Sequence, residues 1–280
     1  MLFFRTIVLS TINVLAAANA YKVGPQSSED VLEKSLRAAI QNGNVTEIPP
    51  NFVTWSDGER YGHRTVGPYV LYNDVWNEPL GQGSQCVGSS TIDPTSWFSK
   101  WSWKQKSTQP QVISYANMEF PFAAGAAIGK FESLKSSWHA TYTGHNMSSN
   151  VAFDMFIRPP GSGDQVEIMA WIKEYGVVSP ISSSGGPIAS IQLPSGIWAL
   201  YKGHNDYSHM DVYSFVISTA SIGGPIRYDG DLLEFLHHLI RRGAINDNWQ
   251  LIKIGAGTET TVGRDCFFFT SHYSLTPVMK

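Results

Sequence analysis

Cysteine is scarce in this chain, with only Cys86 and Cys266 among 280 residues, and charge is sparse, with Asp, Glu, Lys and Arg making up 15%. Two thiols rule out a disulfide-stapled scaffold and leave either one bridge or two separate buried thiols. The net charge is −3 and no run of Lys or Arg stands out, so a field for steering phosphate backbones is missing and nucleic acid is not an expected partner. A G-x-S-x-G elbow, an H-E-x-x-H pair and a phosphate-binding glycine loop are also missing, so serine esterase, zinc protease and nucleotide readings have no support. His204 and His209 share a polar turn with Asp206 and Asp211, a composition typical of solvated loops, and no bound metal is expected there.

Long apolar runs are lacking too. The stretch from Thr6 to Ala18 is too short to span a bilayer and contains Ser10, Thr11 and Asn13. With Arg5 before it and Ala18-Asn19-Ala20 after it, the stretch reads as an export signal cleaved after Ala20. The expectation is a secreted protein with no membrane segment in its mature form, in which the sequons at Asn44 and Asn146 would meet the glycosylation machinery of a eukaryotic host. Residues 21–50 then form an extension. Val31, Leu32, Leu36, Ala39 and Ile40 recur there at helical spacing, and Pro49-Pro50 closes it.

What the chain does have is aromatic side chains, nine Trp and twelve Tyr among them, suited to a sugar-binding surface and equally to a core. From residue 51 to 280 its length suits one catalytic domain. Short runs with period-2 alternation, broken by Gly, Pro, Ser and Asn clusters such as Ser182–Pro187 and Gly223–Pro225, predict an all-β sandwich or barrel. One segment departs from the pattern. Asp231–Arg242 puts Leu232, Phe235, Leu236, Leu239 and Ile240 on one helical face, with Asp231 and Glu234 at capping-box spacing and Gly243 as the stop.

Three strands carry acids on faces opposite their apolar residues. In Val166–Ile172, alternation sends Val166, Ile168, Ala170 and Ile172 one way and Glu167, Met169 and Trp171 the other. Asp154 stands opposite Phe153, Met155 and Ile157, so adjacent strands would bring it beside Glu167. In Gln250–Thr260, Ile252, Ile254 and Ala256 are expected inward, and Lys253, Gly255, Gly257 and Glu259 outward, with the glycines leaving room beside Glu259. Any one of these acids alone is also consistent with a solvated strand face.

From about Tyr69 to Pro277 the order and spacing of short motifs resemble glycoside hydrolase family 12. The motifs include Tyr72-Asn73-Asp74-Val75-Trp76, Gly83-Ser84-Gln85-Cys86, Ser114-Tyr115-Ala116-Asn117-Met118, Phe153-Asp154-Met155-Phe156, Glu167-Ile168-Met169-Ala170-Trp171, Ser179-Pro180-Ile181 and Gly257-Thr258-Glu259. The resemblance implies a β-jelly roll of two antiparallel sheets with one packed helix and a concave cleft that holds a β-1,4-glucan. It further implies Glu167 as nucleophile, Glu259 as general acid/base and Asp154 as the nucleophile's partner. Trp76 would stack on a sugar with Asp74 beside it where relatives carry Asn, Met169 and Pro180 would line the site, and Tyr61 would be a second aromatic platform.

Three departures from the family pattern stand out. Thr260-Thr261 replaces the usual Pro-Phe after the acid/base, the amino-terminal cysteine that pairs with the position of Cys86 is missing, and residues 21–52 have no counterpart. The function expected is therefore a retaining endo-β-1,4-glucanase on cellulose-type or mixed-linkage β-glucan. A xyloglucan-specific enzyme is the alternative, and a non-hydrolytic glucan-binding or host-recognised secreted protein is the reading from another class. No cofactor is implied, because two carboxylates and water suffice, and a monomer is expected.

Overall fold

The computed structural model describes residues 48–55, 59–108, 111–218 and 226–280. The expected export signal, the helix before Pro49, the sequon at Asn44 and the Gly223–Pro225 break lie outside the described residues.

Alternation and β-branched or aromatic content produce strands in the order β1 (Phe52–Thr54), β2 (His63–Val66), β3 (Tyr69–Tyr72), β4 (Gly81–Ser90), β5 (Trp97–Gln105), β6 (Ser114–Ala127) and β7 (Phe131–Arg158). After these come β8 (Val166–Tyr175), β9 (Ala189–Leu193), β10 (Gly196–Asn205), β11 (Met210–Ile217), β12 (Ile226–Asp231), the helix α1 (Leu233–Arg241) and β13 (Gln250–Met279). The strands form two layers. One runs β2-β3-β6-β13-β7-β8-β11-β10-β9, using residues 250–260 of β13 and 149–158 of β7. The other runs β1-β4-β5-β13-β7-β12, using the remaining halves of the same two long strands.

β7 shows how one chain builds both layers. Trp138 and Phe153 lie 15 positions apart on it, about 50 Å in a straight strand, yet their ring centroids are 5.0 Å apart across the core. The bend is absorbed by register shifts between Thr260 and Phe267 of β13, opposite residues 143–149 of β7. The packed space between the layers takes much of the aromatic content, including fully buried Trp97, Trp138, Trp198, Phe153, Phe268 and Tyr273.

Several expectations need correcting. The pairing is antiparallel except between β8 and β11, which run parallel because the connection over residues 176–188 carries the chain back before β9, so that β9 and, after two hairpin reversals, β11 run in the direction of β8. In β13 a register shift between Leu251 and Lys253 re-phases the strand, so fully buried Leu251, rather than Ile252, joins Ile254 and Ala256 in the core. Of the two arrangements left open for the cysteines, the unbridged one holds, since no disulfide links Cys86 and Cys266. Cys266 pairs with Trp101, and Trp101 in turn with Gln85, so alternation turns Cys86 to the opposite face, among Phe98, Phe267 and Phe269.

The helix starts at Leu233, and Glu234 does not complete a capping box. Its carboxylate takes hydrogen bonds from the backbone N–H of Ser195, at 3.2 Å, and from the Ser195 hydroxyl. Asp231 does cap, with one carboxylate oxygen accepting from Leu233 N–H at 3.0 Å and from Leu134 N–H at 2.9 Å. Phe235 anchors the helix edge-on against Trp198 at 4.9 Å, and Gly243, at φ +67°, ends it in the left-handed region as expected. Because Asp231 ties the helix start to β7, Asp231→Ala should cost roughly 1–2 kcal/mol in denaturant unfolding and leave activity per folded molecule unchanged.

Candidate active site

The three central strands of the cleft layer place the acids. On β8, Ile168, Ala170 and Ile172 seal the core while Glu167, Met169 and Trp171 face the cleft. Asp154 on β7 pairs with Met169, and Phe156 with Glu167, so Asp154 and Glu167 are diagonal neighbours on one face. Asp154 hydrogen-bonds to Glu167, and Glu259 arrives from β13 on the other side of β7. Glu167 and Glu259 line one cavity of about 600 Å³, which they share with Met169, Trp171, Trp76 and Asn150.

Asn150 is a site residue that sequence reasoning missed, although the alternation that turns Asp154 to the cleft face of β7 turns Asn150 there too. Its side-chain amide donates to Glu259, and its oxygen accepts the Glu259 backbone N–H at 3.0 Å. The Thr258 hydroxyl donates to the Asn150 carbonyl at 2.6 Å, and Tyr142 bonds Thr258 at 3.0 Å, so the amide is braced from behind. Tyr115, also missed, is buried with its hydroxyl donating to the Ala152 carbonyl at 3.0 Å, near enough to feel Asp154, Glu259 and Glu167.

The two glycines of β13 expected to open space differ: Gly255 borders a cavity it shares with Asp154 and Lys253, as expected, whereas Gly257 opens no space. A Cβ on Gly257 would stand 2.2 Å from the Ala116 carbonyl oxygen, and one on Gly255 would stand 3.1 Å from the Asn117 side-chain oxygen. At Gly257 the missing side chain lets β6 approach rather than a ligand. Thr260, where the family pattern has proline, is fully buried with its hydroxyl 2.5 Å from that of Ser114, and Thr261 lines the cavity.

The expected binding residues divide between two places. Trp76 and Met169 line the cavity that holds both glutamates, whereas Asp154, Asp74 and Tyr61 line a second cavity of about 440 Å³. Ser179 and Ile181 border the first cavity, but Pro180 between them borders neither. Arg60 secures the Trp76 loop by donating to the Val75 carbonyl at 3.0 Å and to the Trp76 carbonyl. The polar turn that carries His204 and His209 supplies Tyr207, whose ring lies 5.9 Å from that of Trp76 and lines the first cavity beside it, while His204 bonds Asp211 at 2.9 Å. Asn205 shapes that turn by accepting the N–H groups of Tyr207 and Ser208.

Burial is the main electrostatic influence on all three cleft acids. It pushes Glu259 up to about 7, against the pull of the Asn150 amide. It lifts Asp154 well above the usual carboxylate range, and the charge of Glu167 adds to the effect. Glu167 is pushed upward by burial and by Glu259, and drawn back by the Asp154 hydrogen bond and the charge of Lys253. Asp154, lifted so far, is the donor of that hydrogen bond and Glu167 the acceptor, which pulls Glu167 back from where burial and Glu259 push it. Burial also raises Asp74, to about 6.

The profile described as Glycosyl hydrolase family 12 matches residues 67–276. The chain is 36% identical over 222 residues to a probable xyloglucan-specific endo-beta-1,4-glucanase A from Aspergillus terreus, covering 78% of this chain and 85% of the relative. It is 36% identical over 216 residues to the xyloglucan-specific endo-beta-1,4-glucanase A of Aspergillus niger, covering 75% and 86%. Among solved structures it resembles Trichoderma harzianum endoglucanase 3, with TM-score 0.70 and 25% identity over 82% of this chain and all of the other. The catalytic domain of Humicola grisea Cel12A with a soaked thio cellotetraose matches with TM-score 0.67 and 26% identity, over 78% and 96%.

The raised Glu259 has a consequence for stability. Its folded-state value of about 7 lies above the ordinary glutamate value of 4.5, so ionisation is harder in the fold than in the unfolded chain, and stability is lost as pH rises through that interval. Glu259→Gln should therefore match wild-type Tm near pH 4 and exceed it progressively up to about pH 7, as read by thermal melts across pH.

Proposed function

The chain belongs to glycosyl hydrolase family 12 and is an endoglucanase-type glycoside hydrolase, and we propose that it cleaves internal β-1,4 bonds of a β-glucan by double displacement, with Glu167 as nucleophile and Glu259 as general acid/base. The observation that carries this reading is that both carboxylates open into one cavity with different partners, Asp154 for Glu167 and the Asn150 amide for Glu259.

In this scheme ionised Glu167 attacks the anomeric carbon while Glu259 hands its proton to the departing glycosidic oxygen. The resulting glycosyl ester is hydrolysed by a water that Glu259 deprotonates, so two inversions give net retention. That chemistry calls for carboxylates about 5 to 5.5 Å apart. Asp154 keeps its proton throughout and positions the nucleophile, and Trp76 and Tyr207 offer flat faces for a sugar ring at the cavity wall. The names of the two Aspergillus relatives support xyloglucan as the substrate over an unbranched glucan. Secretion rests on the export-signal reading of residues 1–20.

Parallel digestion of carboxymethyl cellulose, mixed-linkage β-glucan and xyloglucan, followed by reducing-end release, tests the proposal. Xyloglucan should be cleaved fastest, and Glu167→Gln should fold and lose at least about a thousandfold in kcat. Full turnover by that variant excludes Glu167 as nucleophile, and wild-type binding without release excludes hydrolysis.

A second test follows from Asn150. Its amide lowers Glu259, so Asn150→Ala should move the basic limb of the kcat/KM profile to higher pH, by up to about one unit. An unmoved limb removes Asn150 from the acid/base's control.

A further inference from the structure

Lys253 on β13 pairs with Phe156 on β7, and Phe156 pairs with Glu167 on β8, so these residues form one row across the cleft floor. The next row on that face is Gly255, Asp154 and Met169. The Lys253 ammonium is fixed in place, 2.9 Å from a Glu119 carboxylate oxygen and 4.7 Å from the centre of the Phe156 ring. Among the described residues lining the second cavity, it is the sole lysine or arginine.

We infer that Lys253 is a positioning residue for the reaction, an ammonium anchored by Glu119 and Phe156 that keeps the Asp154–Glu167 pair down to a single proton and its nucleophilic oxygen ionised. The inference rests on Glu167 being the nucleophile. The ammonium is held by Glu119, and the further charges it meets are the carboxyl groups of Asp154 and Asp74.

The groups facing Lys253 come from every strand packed near it. They are Glu119 and Tyr115 from β6, Tyr72 from β3 with Asp74 just beyond, His63 from β2, Asp154 from β7 and Glu167 from β8. Glu119 and Asp74 add negative potential, so the ammonium offsets them as well as acting on the pair. Its charge draws Asp154, Glu167 and Asp74 downward against the upward push of burial. Without it, the buried pair would hold a second proton to higher pH, and the share of molecules with an ionised nucleophile would shrink on the acid side. Glu119 works in the opposite direction by partly neutralising the ammonium.

The test uses the full-length secreted protein and an aryl β-cellotrioside with an activated leaving group, whose cleavage does not depend on the general acid and so isolates the acidic limb. Lys253→Met should raise that limb by about one unit, giving roughly tenfold lower kcat/KM at pH values below it and an unchanged KM on the plateau. Lys253→Arg should restore the limb, and Glu119→Gln should move it the other way. The last variant also carries the test if Lys253→Met fails to fold. A limb in Lys253→Met that coincides with wild type, a uniform rise in KM at all pH values, or a Glu119→Gln limb that fails to move to lower pH overturns the inference. The underlying reading is checked separately by trapping with a 2-deoxy-2-fluoro-cellotriosyl fluoride. A label on Glu167 with an unmoved limb defeats only the role of Lys253, whereas a label elsewhere defeats the assignment of Glu167.

Discussion

Carboxyl groups crowded on one half-dry surface resist being charged together, and the cleft floor is organised around that resistance. Asp154, Glu167 and Glu259 all feel burial as their largest influence. Their differences arise from their neighbours, a proton donor for one, a braced amide for another and an anchored ammonium at the end of a row. Such partners act only if they stay in place, and each stands on a strand whose other face is sealed into the core. A site built this way gives up folding stability for reactivity, since every buried acid would be easier to fold as its amide.

The support for that floor is aromatic. Trp138 meets Phe153, Phe268 and Tyr273, bringing together residues from both long strands and both layers. The helix closes one end by setting Phe235 against Trp198 and Phe215. The rims are made differently, from loops fixed by a few polar contacts, with Arg60 under Trp76 and Asn205 under Tyr207. Floor and rims therefore differ in how firmly they are held.

Much of the floor was legible in the sequence because alternation is a local rule. The opposite facings of Glu167 and Ile168, or of Asp154 and Phe153, follow from a period of two and survive folding unchanged. Alternation failed where a bulge intervened, as at Ile252, since an extra residue leaves no mark in composition. It was also silent on partners far along the chain. Ser195 claims Glu234 from 39 positions away, and Glu119 and Lys253 meet only because β6 and β13 are paired. Gly257 was read as space for a ligand when the space belongs to Ala116 and Asn117, because a missing side chain does not reveal what fills its place.

The two long strands serve floor and back at once, and this limits how the molecule can vary. Inserting a single residue near the start of β13 would turn Glu259 into the core and Ala256 toward the cleft in the same step. Comparable damage awaits any change of length in the cleft half of β7. Indels are therefore tolerable only in the loops above the floor, so a lineage adapting to bulkier or plainer polysaccharides would reshape the borders while inheriting the spacing of its acids.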